Sequence, residues 1–153
     1  MTRTPAYTER LGVPLRWWVQ GTMLVAMLWL AVLVATPAPV AWLITVVSLT
    51  LLCFCLWAFG KARIVVADGE LRAGRAHIAA HHLGTATPLD AEQTRRTAGV
   101  DADARAYLLL RPYLKRAVKV KITDPADPAP YWLLSTRNPE ELAQALNALT
   151  HVG

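Results

Sequence analysis

The chain has 153 residues, of which 54% are hydrophobic and 18% charged, and its formal net charge is +5. A soluble domain carries about a quarter charged residues, so the composition departs from that of an ordinary soluble domain, and the length leaves room for one small domain beside any apolar segment. Two cysteines in all exclude a disulfide scaffold.

Residues 1–16 read as a cytoplasmic segment that carries Arg3, Arg10 and Arg16. From Trp17 to Gly60 there is no Asp, Glu, Lys, Arg or His. That run of roughly 44 residues is about twice what one bilayer crossing needs, and far longer than the apolar part of a signal peptide. It lacks the polar stripe that long helices of soluble proteins keep. Pro37 and Pro39 break it once, because two prolines so close remove backbone donors from any continuous helix. The expectation is a transmembrane hairpin over 17–60, with spans of about 17–35 and 40–59. Only helices satisfy their backbone groups internally in such segments.

Lys and Arg set the orientation. Three arginines precede the first span, Lys61, Arg63, Arg72 and Arg75 follow the second, and the turn has none. The positive-inside rule then places both termini in the cytoplasm and the protein in the plasma membrane. Trp17, Trp18 and Trp57 are expected as anchors at the inner interface, with Trp29 and Trp42 nearer the outer side. Thr22, Ala26, Ala31 and Ala35 are candidates for close helix approach, and Thr45 and Ser48 for hydrogen bonds across the hairpin. Cys53 and Cys55, two residues apart on one helix, face nearly opposite ways and cannot bridge. No buried charge marks an ion path.

Residues 61–153 are expected to form a β-rich cytoplasmic domain. Ala62 to Val66 reads as a strand, Asp68-Gly69 as a turn, and Glu70 to Ala73 as the hairpin partner, ended by Gly74. His77 to Ala80 and Gly84 to Thr87 are further strand candidates. Asp90 suits the N-cap of a short helix over 91–97, closed by Gly99. Strands are expected at Ala106 to Leu110, at Ala117 to Thr123 and at Tyr131 to Ser135. The second of these alternates Val118, Val120 and Ile122 against Lys119 and Lys121. Asp124-Pro125-Ala126-Asp127-Pro128-Ala129-Pro130 between the last two is a stiff turn. Asn138, Pro139, Glu140 and Glu141 form the start of a closing amphipathic helix, whose apolar face is Leu142, Ala145, Leu146 and Leu149. The fold class is therefore α+β: a two-helix transmembrane hairpin, then a small sheet or partial barrel closed by a C-terminal helix, similar to a pleckstrin-homology-like (PH-like) domain.

Several short segments carry a resemblance. They are Tyr7-Thr8-Glu9-Arg10-Leu11 with Pro14 and Trp17-Trp18, then Gly69-Glu70-Leu71-Arg72-Ala73-Gly74. Ala104-Arg105-Ala106-Tyr107, Arg111-Pro112 and Asp124-Pro125-Ala126-Asp127-Pro128 with Pro130-Tyr131-Trp132 follow, and last Ser135-Thr136-Arg137 with Pro139. On these the chain resembles a family of small, uncharacterised actinobacterial membrane proteins, a domain of unknown function. The resemblance spans nearly the whole chain. It implies two spans and a cytoplasmic domain, and no reaction.

The strongest candidate site is the basic run Lys115, Arg116, Lys119 and Lys121, held under an anionic leaflet where surface cations attract lipid headgroups. The competing reading is a solvated strand face that uses Lys against edge pairing. No aromatic-interleaved motif points the run to nucleic acid. Arg137, before the last helix, is a candidate to meet an anion at that N-terminus. His77, His81 and His82 have no neighbouring Cys or carboxylate in sequence, so no metal is expected. Asp124 and Asp127 read as turn starters, and Asp101 and Asp103 as parts of a turn. Ser135 lies in an apolar strand without a nucleophile elbow, and no glycine-rich phosphate loop is present. The expectation is a non-catalytic, cofactor-free binding or scaffolding module of the cell envelope. Its partners would be the bilayer and a membrane protein or its own copies. A subunit of a transport or channel assembly is the alternative.

Overall fold

The computed structural model describes residues 6–151, so Arg3 lies outside the described residues. The chain divides into two compact units: Gly12–Lys61, and a second made of the chain up to Leu11 together with Ala62 onward.

The first unit is a pair of helices, α1 (Leu15–Ala35) and α2 (Ala38–Gly60). Both are long and apolar enough to cross a membrane. Pro14 and Pro37 precede the helices, and Pro39 lies in the first turn of α2, where a missing N–H costs nothing. Thr36 ends α1, its N–H and hydroxyl both donating to the Val32 carbonyl. Gly21 provides the close approach: a Cβ there would lie 2.9 Å from Leu52 Cδ1. The proposed cross-hairpin bond of Thr45 is not made. Its hydroxyl donates to Ala41 of its own helix, and Thr22 and Thr50 likewise bond their own helices. A hydroxyl one turn below a free lone pair reaches it without ordering a second helix. Trp29 and Trp42 meet with ring centroids 5.8 Å apart.

Among the described residues, the second unit contains eight strands in two four-stranded sheets and two helices. Strand β1 (Tyr7–Arg10) joins β2 (Arg63–Ala67), β3 (Glu70–Ala73) and β4 (Ala76–Ala79) in the antiparallel order β1-β2-β3-β4. The expected division before residue 61 therefore fails on one side. The residues ahead of the helices supply a strand, and Leu11 is fully buried in the core beside Ile64, Val66 and Leu71. Asp68 and Gly69 both take positive φ, 52° and 76°, the geometry of a two-residue hairpin turn whose twist matches the strands. Gly74, at φ 63°, ends β3 as expected.

After a 3₁₀ turn at Ala80–His82 comes β5 (Leu83–Leu89). Then follow α3 (Ala91–Ala98), β6 (Tyr107–Leu109), β7 (Ala117–Ile122), β8 (Tyr131–Ser135) and α4 (Pro139–His151). The second sheet has the order β5-β7-β8-β6, and β6 runs parallel to β8. Asp90 caps α3 in a reciprocal box with Gln93, which satisfies two orphan donors at once. One core lies between the sheets and α4: Ala73 and Ile78 from the first sheet, Val118, Val120 and Trp132 from the second, and Leu142 and Leu146 from the helix. A smaller cluster, Ala117, Tyr131 and Leu133, covers the other face of the second sheet. Strand β8 is thus buried on both faces.

Candidate functional site

Strand β7 presents Val118, Val120 and Ile122 to the core and turns Lys119 and Lys121 away from it. This alternation is the period-2 consequence of the strand itself. Its neighbours are antiparallel, with Lys119 opposite Thr87 of β5 and Leu133 of β8, and Lys121 opposite Tyr131. The result is a shallow groove of about 370 Å³ lined by Thr85, Thr87, Lys119, Lys121, Pro130 and Tyr131. Lys119 Nζ sits 4.4 Å from the Tyr131 ring centroid, a cation–π contact. The Tyr131 hydroxyl accepts from the Asp103 N–H at 3.1 Å. Hydrogen bonds from Arg105 hold the Asp103 carboxyl below its usual range. The groove therefore has two ammonium groups, two exposed hydroxyls and one aromatic wall, and can take an anionic or hydrogen-bond-accepting group.

The four residues of the basic run do not stay together. Lys119 and Lys121 line the groove. Arg116 turns to α4 instead: its guanidinium donates to the Arg137 carbonyl at 2.7 Å and lies 3.9 Å from Glu140. Lys115 is exposed in the loop before β7. That loop is pinned by the Tyr113 hydroxyl, which donates to the Leu11 carbonyl at 2.8 Å. Burial raises the Tyr113 pKa.

Arg137 meets a carboxylate from its own chain. Glu9, only 9% exposed, accepts from the Arg137 N–H at 2.9 Å, from the Tyr7 hydroxyl at 2.7 Å and from the Thr136 hydroxyl. Arg137 Nη1 lies 3.7 Å from Glu9 and donates to the Arg10 carbonyl at 3.0 Å. The anion expected at the start of α4 is thus Glu9, held by charge-assisted bonds next to the helix N-terminus. Burial, with Glu9 nearby, pushes the Tyr7 pKa up to about 12. Sequence inspection missed this cluster, because Glu9 and Thr136 are 127 positions apart.

The other candidates have structural explanations. Asp124 and Asp127 each accept the N–H two residues on, both at 2.8 Å, as turn starters do. His81 and His82 have rings 3.9 Å apart, His82 lies 3.9 Å from Asp124, and His77 is across from Arg72 on β3. Ser135 is fully buried and accepts the Arg111 N–H at 3.1 Å. Trp17 and Trp18 fall in the first turn of α1, and Trp57 in the last turn of α2, with Lys61 Nζ 3.4 Å from its ring centroid. Cys53 and Cys55 are free and exposed. Asn147 of α4 was not anticipated. Its side-chain amide bonds both the N–H and the carbonyl of Ala86, where β5 shifts register.

No curated protein and no solved structure matches the chain. Residues 6–146 match the family described as "Protein of unknown function (DUF3093)", and the chain belongs to that family.

Proposed function

Starting from that membership, we propose that the protein is a two-span membrane protein of the plasma membrane with both termini cytoplasmic. Its β-rich unit is a non-catalytic binding or scaffolding module of the cell envelope. The observation that carries this is the pairing of β1 with β2. One strand leads into α1 and the other leaves α2, so both ends of the helix pair are fixed in one sheet. An apolar pair tethered twice to a folded domain is the design of an anchor. The charge-free turn and the cations at Arg16, Lys61 and Arg63 support the inward orientation.

Two sheets and a closing helix support a PH-like fold, and the parallel β6–β8 pair is where this domain departs from it. An actinobacterial source agrees with the motifs that carry the resemblance. The non-catalytic reading rests on Ser135, whose hydroxyl is buried and occupied. The groove beside Tyr131 is the surface that would receive a membrane protein partner or a second copy.

A photo-crosslinking residue at Thr87 in the full chain, expressed in cells, tests the module reading. We expect a discrete membrane-protein adduct from Thr87, and none from Gln144 on the exposed side of α4. Equal capture from both positions, or none from Thr87, overturns it.

A further inference from the structure

The first sheet is charged unevenly along its strands. At the end from which the chain passes to α1 and α2 lie Arg10 at the close of β1, Arg63 at the start of β2, and Arg75 in the turn after Gly74. At the other end lie Asp68 and Glu70. Arg72, between them, is paired with Glu70 at 3.2 Å.

Arg10 and Arg63 are direct cross-strand partners. The Leu11 N–H donates to the Ala62 carbonyl at 3.0 Å, which makes the adjacent Arg10–Arg63 pair the close, non-hydrogen-bonded kind. Like charges in that position repel and destabilise a sheet. Both side chains are exposed, as is that of Arg75, and among the described residues none of the three has a carboxylate within 4.0 Å. The Gly74 N–H bonds the Arg63 carbonyl at 2.9 Å, which fixes the turn carrying Arg75 beside Arg63. The loop carrying Lys115 is held at the same end by the Tyr113–Leu11 bond. Glu9, beside Arg10 in sequence, is buried and Glu140 faces Arg116.

Connectivity limits where these cations can go. Arg63 follows the last residue of α2 by three positions and Arg10 precedes α1 by five. Three residues reach at most about 10 Å and five about 18 Å. If the helices span a bilayer, both arginines stay close to its surface, where anionic headgroups attract cations. We propose that Arg10, Arg63 and Arg75, with Lys115 beside them, form a collar that binds the phosphate of anionic phospholipids. This rests on the membrane reading above and adds to it a lipid class and a set of residues. The phosphate lies between the opposed guanidiniums and relieves their repulsion, in the way that arginine forks take phosphate oxygens. The collar, rather than the groove at Lys119 and Lys121, is then the lipid-facing surface.

The test uses the full chain in nanodiscs of neutral phosphatidylcholine alone or mixed with phosphatidylglycerol. Hydrogen exchange at residues 10, 63 and 74–76 and the melting temperature of the domain are read in each. Phosphatidylglycerol is expected to slow exchange at the collar and to raise the melting temperature. Replacing the three arginines by Gln removes both effects and weakens phosphatidylglycerol binding on the order of a hundredfold, at about fivefold per cation. The Lys119→Gln/Lys121→Gln variant retains both. Arg63→Glu gives a second readout: it pairs with Arg10, so the domain melts higher in neutral discs and loses its response to phosphatidylglycerol. A chain that inserts but responds equally to both lipids overturns the collar alone, as does a response that survives loss of all three arginines. A chain that stays dissolved without disc or detergent overturns the collar and the membrane reading together.

Discussion

The two units treat apolar side chains in opposite ways. In α1 no residue is buried, and Leu15 and Val34 are 76% and 91% exposed. In the β-rich unit Leu71, Val118 and Leu134 are completely covered. Both patterns follow from one transfer free energy, about 25 cal/mol per Å² of apolar surface, applied with different solvents. The domain satisfies it internally. The helices leave it to their surroundings, and on the reading proposed here those surroundings are lipid. Substitutions should therefore follow different rules in the two units.

The largest contrast is expected between Leu11→Ala and Leu24→Ala. Leu11 is fully buried in the core, so its truncation should cost about 2–5 kcal/mol. Leu24 is 70% exposed, so its truncation should leave the melting of the detergent-solubilised chain nearly unchanged. Equal effects would erase the distinction between the units. Next comes Glu9→Ala, which strands the Arg137 N–H and leaves the Tyr7 and Thr136 hydroxyls only each other in place of the carboxylate; a loss of about 1–3 kcal/mol is expected in chemical denaturation. Asn147→Leu exposes the same principle at Ala86, where a buried backbone donor and acceptor lose both partners, again at about 1–3 kcal/mol. It should do so without altering association with membranes.

Two smaller effects are expected, one in each unit. Tyr7 ionises near 10.0 in an unfolded chain and at about 12 in the fold. Its raised value stabilises the fold fully below pH 10, and that contribution is lost as pH rises through 12. Phenolate absorbance should show late titration that shrinks by one tyrosine in Tyr7→Phe, with Tyr113, also raised by burial, remaining. The smallest expected change in the domain is from Gly21→Ile, which forces a side chain against Leu52. Overpacking of about 1–3 kcal/mol should reduce disulfide crosslinking between engineered cysteines on α1 and α2, while the melting of the domain stays put.

What the sequence allowed and withheld follows from range. The Asp68-Gly69 turn and the Asp90 cap are set by residues one to three positions apart, and each formed where expected. Strand β8 was legible as well, because a short apolar run between turn residues has few alternatives. Strand β1 was not: three of its four residues are polar, and its partner β2 begins 53 positions after it ends, beyond both helices. The partners of Glu9 were hidden for the same reason. In the groove, Lys119 and Lys121 came from alternation, but the diversion of Arg116 depends on where α4 returns, which no local pattern records. The parallel β6–β8 pair likewise needs a crossover.

Cysteine accessibility on intact cells reports on which side of the membrane each unit lies. In a Cys53→Ala/Cys55→Ala background, one cysteine replaces Ala38 at the turn between the helices and, in a separate variant, another replaces Ala126 in the β7–β8 loop. A two-span anchor with both termini inside predicts that a membrane-impermeant maleimide labels position 38 on intact cells and position 126 only after lysis. Labelling of position 126 on intact cells, or of neither position until lysis, would contradict it.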